Sequence, residues 1–212
     1  MCRLLAVKSS VPFDSAPHLK AFAQVAKTSK EYQGHGWGMA IREGDQWRHY
    51  KNLLPIWDDI LDSFGSTTEL LVHARSAFQD EGIVIENNMP FYDERYIFIF
   101  NGELRGVKIK EDGRIGAEKI FNYLKRFDHG NFLEALQRGV PVLQRRSRYV
   151  RAMNIIVSDH TNLYCASFFN EDPDYFGMSF KQTAQQLVIC SQPYSGETGW
   201  IPIPNQTIRI FE

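Results

Sequence analysis

The sequence predicts an α+β layered fold, with two mostly antiparallel sheets stacked between helices. Two observations favour it. Nine short runs rich in β-branched and aromatic residues recur along the chain, and helical periodicity is confined to segments between groups of strands, without strict alternation. The 212 residues, 43% of them hydrophobic, are enough for one well-buried core. A single domain over residues 1–212 is therefore expected.

The predicted strands are apolar or alternating runs, several of them separated by turn residues. "REGDQ" joins the second run to the third, and "SDHTN" joins the sixth to the seventh as a hairpin. In chain order the runs are RLLAVKSS, GWGMAIRE, QWRHYKN, LLVHARS, RYIFIFNGEL, MNIIVSDH, NLYCASFF, QLVICSQ and TIRIFE. Nine strands are enough for two sheets.

Helical periodicity predicts helices at residues 15–27, 56–64, 114–127 and 131–138. The clearest segment is "RIGAEKIFNYLKRF", whose apolar residues share one face that should pack on a sheet. These residues are Ala117, Ile120, Phe121, Leu124 and Phe127. The basic run "QRRSRYVR" at 144–151 is interpreted as a solvated connection to the strand at 152. A phosphate-binding patch is the less favoured alternative, because the run lacks interleaved aromatic residues and the chain has no net basic balance.

Charge and composition exclude several classes of partner. The chain has 24 basic and 25 acidic residues, a net charge of −1, so no general attraction to nucleic acid, membranes or acidic substrates is expected. A small neutral or zwitterionic ligand fits better. There is no apolar stretch of about 18 residues and no basic-then-apolar leader, which predicts a cytoplasmic protein without membrane contact.

The cysteines Cys2, Cys165 and Cys190 form an odd set without CxxC spacing, which argues against a disulfide framework or a zinc site. No metal or cofactor is expected. Cys165 and Cys190 lie in strand-like runs and should be buried as small hydrophobic residues.

Cys2 follows the initiator methionine directly. Taken alone, its position is best explained by chance, because an N-terminal strand can contain a cysteine. The alternative is that removal of Met1 exposes a free α-amine beside the thiol, so that one residue holds both nucleophile and base. Their usual pKa values, about 7.7 to 8.0 and about 8.5, would let the pair share a proton near neutral pH.

Two predicted strands end in polar residues suited to acyl chemistry. In "LLVHARSAF", Arg75 follows an apolar run, where it could bind a carboxylate bidentately or form an ordinary surface ion pair. In "RYIFIFNGEL", the run ends in Asn101 and Gly102. This dipeptide alone indicates a turn, but the amide of Asn101 and the N–H of Gly102 could also form an oxyanion hole.

The segment "GHGWGMAI" places three glycines around His35 and Trp37 at the start of a strand. His35 is interpreted as a solvated loop histidine in preference to a base or ligand, because no second histidine stands at metal-ligand spacing. Trp37 is expected in the core or in a pocket wall.

The order of the motifs is more informative than any one of them. Cys2, "GHGWGMA", "HARSA", "NNMPF", "FNGEL", a helix with Glu118 and a late "SQPYSGETGWIPIP" together resemble the class II glutamine amidotransferases, over nearly the whole chain. The resemblance implies the N-terminal-nucleophile hydrolase fold, a four-layer αββα sandwich, and a processed Cys2 that attacks a γ-glutamyl amide. It also implies that Arg75 holds the substrate α-carboxylate and that Asn101 and Gly102 form the oxyanion hole. The late segment looks most like stand-alone members, including the amidohydrolase branch of ergothioneine synthesis.

Two departures from that family concern substrate binding. The family commonly has Asn-x-His-Pro-Phe where this chain reads "NNMPF", so Met89 provides an apolar surface. It also commonly has Thr-Asp-Ser-Glu where residues 115–118 read "IGAE", which puts Gly116 in place of the aspartate that binds the substrate α-amine. That loss costs about 2 to 5 kcal/mol of binding. Glu118 or Glu103 could compensate, or the substrate could lack a free α-amine.

Three functions are compatible with these residues. The favoured one is a cysteine amidohydrolase that cleaves a γ-glutamyl or related small-molecule amide through a thioester. The second is a glutaminase subunit that delivers ammonia to a synthase partner, and a homo-oligomer is compatible with either. The third is a non-catalytic binding module, which the joint presence of Cys2, Arg75, Asn101 and Gly102 argues against.

Overall fold

The computed structural model describes residues 1–212, which divide into two compact units. The first unit comprises Met1–Pro90 and Gly177–Ile203, and the second comprises Phe91–Phe176 and Pro204–Glu212. The strands are β1 (Arg3–Asp14), β2 (Trp37–Glu43), β3 (Gln46–Asn52), β4 (Ser66–Ala74), β5 (Phe91–Tyr92), β6 (Ile97–Arg105), β7 (Tyr149–Ser158), β8 (Leu163–Ser167), β9 (Ser179–Gln182), β10 (Gln186–Cys190), β11 (Ile201–Pro202) and β12 (Thr207–Phe211). The helices are α1 (Ser15–Lys27), α2 (Gly116–Lys125), α3 (Phe132–Arg146) and α4 (Pro173–Phe176). Each of the nine predicted strand runs overlaps one of these strands.

The first unit is built on a seven-stranded sheet in which every neighbouring pair is antiparallel. The strand order is β11-β9-β10-β1-β4-β2-β3, so β1 and β4 lie at its centre. The first five residues of β1 and the last six of β4 are buried. The start of β1 and the end of β4 therefore both lie in the buried core of the sheet.

Helix α1 lies at the predicted residues 15–27, and its apolar face packs on this sheet. Leu19 and Phe22 belong to the same buried cluster as Leu5 of β1. The helix begins after Asp14, whose side chain accepts a hydrogen bond from the N–H of Ala16 at 3.1 Å. This capping bond satisfies one of the donors that a helix N-terminus leaves unpaired.

The second unit contains a five-stranded antiparallel sheet in the order β12-β8-β7-β6-β5, together with α2, α3 and α4. Helix α2, predicted at 114–127, spans Gly116–Lys125 and buries four residues of the predicted face, Ala117, Ile120, Phe121 and Leu124. The fifth, Phe127, follows the helix and is half-buried. Helix α3 begins after Asn131, whose side chain accepts from the N–H of Leu133 at 3.0 Å. Gly139 lets α3 approach α2 closely, because a Cβ there would lie 2.6 Å from a methyl carbon of Leu124.

The predicted helix at 56–64 is wrong. Two short 3₁₀ turns, Ile56–Asp58 and Leu61–Ser63, stand there, separated by Asp59 in an extended conformation. One carboxylate oxygen of Asp59 accepts from the N–H of Ile60, and the other accepts from the side chains of Trp37, Tyr50 and Asn52. These long-range bonds hold Asp59 out of helical geometry, because they need its carboxylate turned toward the sheet.

Two other boundaries differ from the prediction. Asn101 and Gly102 do not end their strand or form a turn, since β6 continues to Arg105 and pairs Asn101 with Asn154 of β7. Helix α3 extends past the predicted 131–138 to Arg146, so the basic run supplies the end of a helix before β7. The prediction missed the short elements β5, β9, β11 and α4, which are too brief for periodicity to show.

The longest helix, α3, has 15 residues. No helix combines the length and the apolar composition needed to cross a membrane.

Candidate active site

Pairing of β1 with β4 brings the second residue of the chain beside Arg75. Arg3 is paired with Ala74, so Cys2, which precedes β1, and Arg75, which follows β4, lie at the same edge of the sheet. The Cys2 Sγ lies 3.4 Å from the backbone nitrogen of Ser76 and 3.6 Å from its carbonyl oxygen. The thiol is therefore held by the backbone of the residue that follows Arg75.

Arg75 is only 5% exposed, although it lies at a strand end. Its Nη2 donates to the carbonyl of Gly82 at 2.9 Å, and its Nη1 donates to Oδ1 of Asn88 at 3.4 Å. Burial lowers the pKa of Arg75, and the thiolate of Cys2, when it forms, acts in the opposite direction. A buried guanidinium held by neutral acceptors can bind an anion, because its charge is not yet compensated by a carboxylate.

Asn88 connects Arg75 to the end of β3. It is fully buried, and its Nδ2 donates to the backbone carbonyl of Asn52 at 2.9 Å. Gly36 has φ +100°, and a Cβ there would lie 2.4 Å from Nδ2 of Asn88. Glycine is therefore required where the "GHG" segment passes this amide. Met89, predicted to bind substrate, is 3% exposed and adjoins Asn88 in the same unit.

His35 is part of this arrangement, which the sequence interpretation as a solvated loop histidine missed. Its Nδ1 accepts from the N–H of Ala77 at 2.8 Å, and its Nε2 lies 3.4 Å from a carboxylate oxygen of Asp80. Desolvation is the main reason why the pKa of His35 is lowered. The neutral ring thus ties the segment after Arg75 to the glycine-rich segment before β2. The sequence signal for this arrangement was the "GHG" motif. Its role became clear only from the contact between the two segments in the structure.

The surroundings of Cys2 shift the pKa of its thiol in opposite directions. Burial raises the pKa of its thiol, while the chain's N-terminal charge, the N–H of Ser76 and Arg75 act in the opposite direction. The net effect is a raised pKa, so the thiol is neutral at pH 7. A nucleophilic role at this position therefore requires a base close to the sulfur.

Met1 is held beside Cys2 by two polar side chains. Its α-ammonium pairs with the carboxylate of Glu31, and its carbonyl accepts from Nε2 of Gln33. While Met1 is present, the nitrogen of Cys2 is part of a peptide bond and cannot accept a proton.

Asn101 and Gly102 lie in the second unit, in the middle of β6. Asn101 is 1% exposed, and neither Oδ1 nor Nδ2 has a hydrogen-bond partner. Gly102 leaves room for the neighbouring strand, because a Cβ there would lie 2.2 Å from the carbonyl oxygen of Ala152. Buried polar side chains are usually paired, so an unsatisfied amide in a strand is an exception that calls for an explanation.

Gly116 and Glu118 lie in the first turn of α2. Gly116 faces open space, with no atom within 4 Å of a Cβ built there. Both oxygens of Glu118 contact Arg114, which donates from its backbone N–H and from its guanidinium. To bind a substrate ammonium, Glu118 would have to share or leave these contacts. The other candidate acid, Glu103, forms ion pairs with Arg105 and Arg151.

The structure thus places Cys2 beside Arg75 in the first unit, which also contains Met89, and places Asn101, Gly102, Gly116 and Glu118 in the second. Cys165 and Cys190 are buried as predicted, and burial raises the pKa of each thiol to about 12. No cluster of three or more His, Cys, Asp or Glu residues is arranged to hold a metal ion.

The fold matches solved structures of class II glutamine amidotransferases. The glutamine phosphoribosylpyrophosphate amidotransferase of B. subtilis superposes with a TM-score of 0.64 at 14% identity, over 90% of this chain and 42% of that chain. A glutamine aminotransferase class-II domain protein of Silicibacter pomeroyi superposes with a TM-score of 0.63 at 15% identity, over 99% of this chain and 94% of that chain. The predicted fold class, an α+β fold of the N-terminal-nucleophile hydrolase type, is confirmed.

A distant relative is similar in sequence. The γ-glutamyl-hercynylcysteine sulfoxide hydrolase of Mycobacterium tuberculosis is 23% identical, over 93% of this chain and 84% of the relative. No family model matches the sequence. This chain spans less than half of the B. subtilis amidotransferase, so the activity of that whole enzyme does not transfer with the fold.

Proposed function

We propose that this protein is a cysteine-dependent amidohydrolase that cleaves a γ-glutamyl or related amide through a thioester on Cys2. The observation that carries the proposal is the position of the Cys2 thiol against the backbone of Ser76, next to a buried Arg75 without a carboxylate partner. A nucleophile and a carboxylate-binding group side by side suit a substrate that carries both an amide and a carboxylate. The fold and the hydrolase named as a distant relative support the same reaction class.

In the proposed reaction, removal of Met1 frees the α-amine of Cys2, which takes the proton of the thiol. The sulfur attacks the amide carbonyl, the new C–S bond forms, and the carbonyl oxygen becomes an oxyanion. Collapse of this intermediate breaks the C–N bond, and the amine leaves with the proton held by the α-amine. Water then attacks the thioester, releases the carboxylic acid and restores the thiol.

Three further residues have proposed roles. Asn101 and the N–H of Gly102 donate to the oxyanion, a role for which the unpaired amide of Asn101 is available without breaking another bond. Met89 supplies an apolar wall to the substrate site. The family's α-amine-binding aspartate has no counterpart at Gly116, and Glu118 is engaged by Arg114.

The substrate is therefore proposed to be an amide larger than free L-glutamine, or one whose α-amine is masked. A panel of L-glutamine, N-acylated glutamines and γ-substituted glutamyl amides tests this. Each larger amide with an apolar substituent should be hydrolysed with a higher kcat/KM than L-glutamine. If L-glutamine has the highest kcat/KM of the panel, another acid binds the α-amine and the role given to Gly116 is wrong.

The nucleophile is tested by Cys2→Ala, with Cys190→Ala as the matched control in the same unit. Cys2→Ala should abolish turnover of the best panel substrate, whereas Cys190→Ala should keep most of it because that thiol is buried and uninvolved. Iodoacetamide should label the native protein at Cys2 in preference to Cys165 and Cys190. Near-normal turnover by Cys2→Ala would disprove the proposal.

The base is tested by the intact mass of the protein purified from its native host. The proposal requires a mass without Met1 in the active fraction. A fully active protein that retains Met1 would show that the α-amine of Cys2 is not the base.

A further inference from the structure

An open basic cavity lies at the surface of the second unit, where the segment after β6 meets the ends of α2 and α3, and its four cationic residues are exposed to solvent. Its volume is about 480 Å³, and it is lined by Lys108, Ile109, Lys110, Tyr123, Arg126 and Arg146. Four of these six residues are cations, and the other two provide an apolar and an aromatic surface. None of them is among the proposed site residues.

The cations of this cavity have little compensating negative charge. Arg126 lies 3.4 Å from a carboxylate oxygen of Glu111, which is its ion-pair partner. Lys108, Lys110 and Arg146 form no ion pair. The whole chain has a net charge of −1, so this is a local excess of positive charge. A concave surface lined by charges of one sign focuses the electrostatic field and attracts ligands of the opposite charge.

The cavity is assembled from three separate segments by hydrogen bonds. The N–H of Lys108 donates to the carbonyl of Arg146 at 2.8 Å, and the guanidinium of Arg126 donates to the carbonyl of Lys110 at 3.2 Å. Cations at helix C-termini are favoured by the helix dipole, which explains Arg126 and Arg146 by themselves. The helix dipole does not explain Lys108 and Lys110, which lie in the segment that connects β6 to α2 and line the same cavity.

We propose that this cavity binds a small phosphate-bearing anion, a phosphate ester or a diphosphate. Guanidinium groups bind phosphate oxygens bidentately and ammonium groups bind them as point charges, so two arginines and two lysines suit more than one negative charge. Tyr123 and Ile109 can contact an organic group attached to the phosphate. The volume is within the range of about 300 to 1,000 Å³ typical of small-molecule sites.

A single-stranded nucleic acid fits less well. Such ligands need a groove with several aromatic stacking platforms along a basic track, whereas this cavity has one aromatic residue. The basic run at 144–151 contributes only Arg146 to the lining. The other three cations come from elsewhere in the chain, which is why the run alone did not indicate a phosphate site.

The test is calorimetric titration of the full chain with inorganic pyrophosphate at constant ionic strength. The variant Lys108→Gln/Arg146→Gln removes two lining charges. Its matched control, Arg145→Gln/Arg148→Gln, removes the same charge from exposed residues of the same region that do not line the cavity. Loss of two charge-assisted contacts should weaken pyrophosphate binding at least about 10-fold in the first variant only.

Three outcomes would overturn the proposal. The first is no saturable binding of pyrophosphate by the wild-type chain, and the second is an equal loss of affinity in both double variants, which indicates general electrostatics. The third is tighter binding of a single-stranded oligonucleotide than of pyrophosphate by the wild-type chain. Circular dichroism and the urea midpoint of each variant verify folding, and Lys110→Gln repeats the test from the connecting segment if Lys108→Gln/Arg146→Gln unfolds.

Discussion

Arg75 and Asn101 are both buried polar side chains with proposed roles, but their surroundings are opposite. In the first unit, Arg75 donates to Gly82 and to Asn88, and Asn88 in turn donates to the backbone of Asn52. In the second unit, the Asn101 side chain has no partner for either polar atom. One group is held by the protein before any ligand binds, and the other is left unpaired in the middle of a strand.

The difference indicates two ways of preparing a site. The hydrogen bonds that Arg75 donates fix its side chain, so less conformational entropy is lost when a carboxylate binds. The amide of Asn101 costs the folded state about 1 to 3 kcal/mol for each unsatisfied group, a cost that a donor reserved for an oxyanion would explain. The loss of Asn101 should therefore act on kcat, and changes around Arg75 should act on KM.

Among the changes that test this comparison, the largest effect is expected for Asn101→Ala. Without the amide donor, the proposed oxyanion is stabilised less, and kcat should fall about 100-fold or more with little change in KM. Steady-state kinetics on the best amide substrate measures both constants. A change confined to KM would assign Asn101 to substrate binding and would remove the distinction from Arg75.

The next prediction concerns the free energy of unfolding. It compares Asn101 of β6 with Asn154, the residue opposite it in β7. Asn154 is equally buried but fully paired, since it donates to the carbonyl of Phe176 at 2.7 Å and accepts from the N–H of Phe168 at 3.1 Å. Asn154→Leu should lower the free energy of unfolding by about 1 to 3 kcal/mol or more, because it leaves two backbone groups unpaired.

Asn101→Leu should have the opposite sign and raise the free energy of unfolding by about 1 kcal/mol, because it removes two unpaired polar atoms from a buried position. Urea unfolding of both variants measures the two changes. If Asn101→Leu destabilises as much as Asn154→Leu, the Asn101 amide is paired in solution and the comparison with Arg75 fails.

A smaller effect is expected for Arg75→Lys. An ammonium group cannot hold Gly82 and Asn88 while it binds a carboxylate with two parallel bonds, so KM should rise about 10-fold with a smaller change in kcat. The same substitution tested on a substrate whose α-carboxylate is amidated should change KM little. Equal effects on both substrates would mean that Arg75 does not contact the carboxylate.

The smallest expected effect is a pH dependence through His35. Its folded-state pKa is lowered from 6.5, so the neutral ring is the form that accepts from the N–H of Ala77. Because this pKa is lowered, His35 is protonated only at a more acidic pH than a free histidine. Protonation should break this bond and raise KM about fivefold, as expected for one hydrogen bond of about 1 kcal/mol.

The His35→Asn variant, which keeps an acceptor and cannot titrate, separates this effect from ionisation of the neighbouring carboxylate of Asp80. Its KM should stay constant over the acidic range in which that of the wild-type protein rises. An identical rise in both proteins would assign the pH dependence to another group.

The sequence by itself determined the elements whose pattern is local. Residues 15–27 form the predicted helix because the spacing of their apolar residues is a local property of the sequence. Arg75 follows an apolar strand as predicted, since β4 ends at Ala74. The order of motifs, beginning with Cys2, indicated the family whose fold the structure matches.

Only the tertiary structure decided what depends on partners distant in the chain. Asp59 breaks the predicted helix at 56–64 because its carboxylate is bound by Trp37, Tyr50 and Asn52. Asn101 lies within a strand and not in a turn, because pairing with Asn154 outweighs the local preference of the Asn-Gly dipeptide. Local propensities differ by a fraction of a kcal/mol per residue, whereas buried hydrogen bonds between distant segments are worth more, so the latter determine such positions.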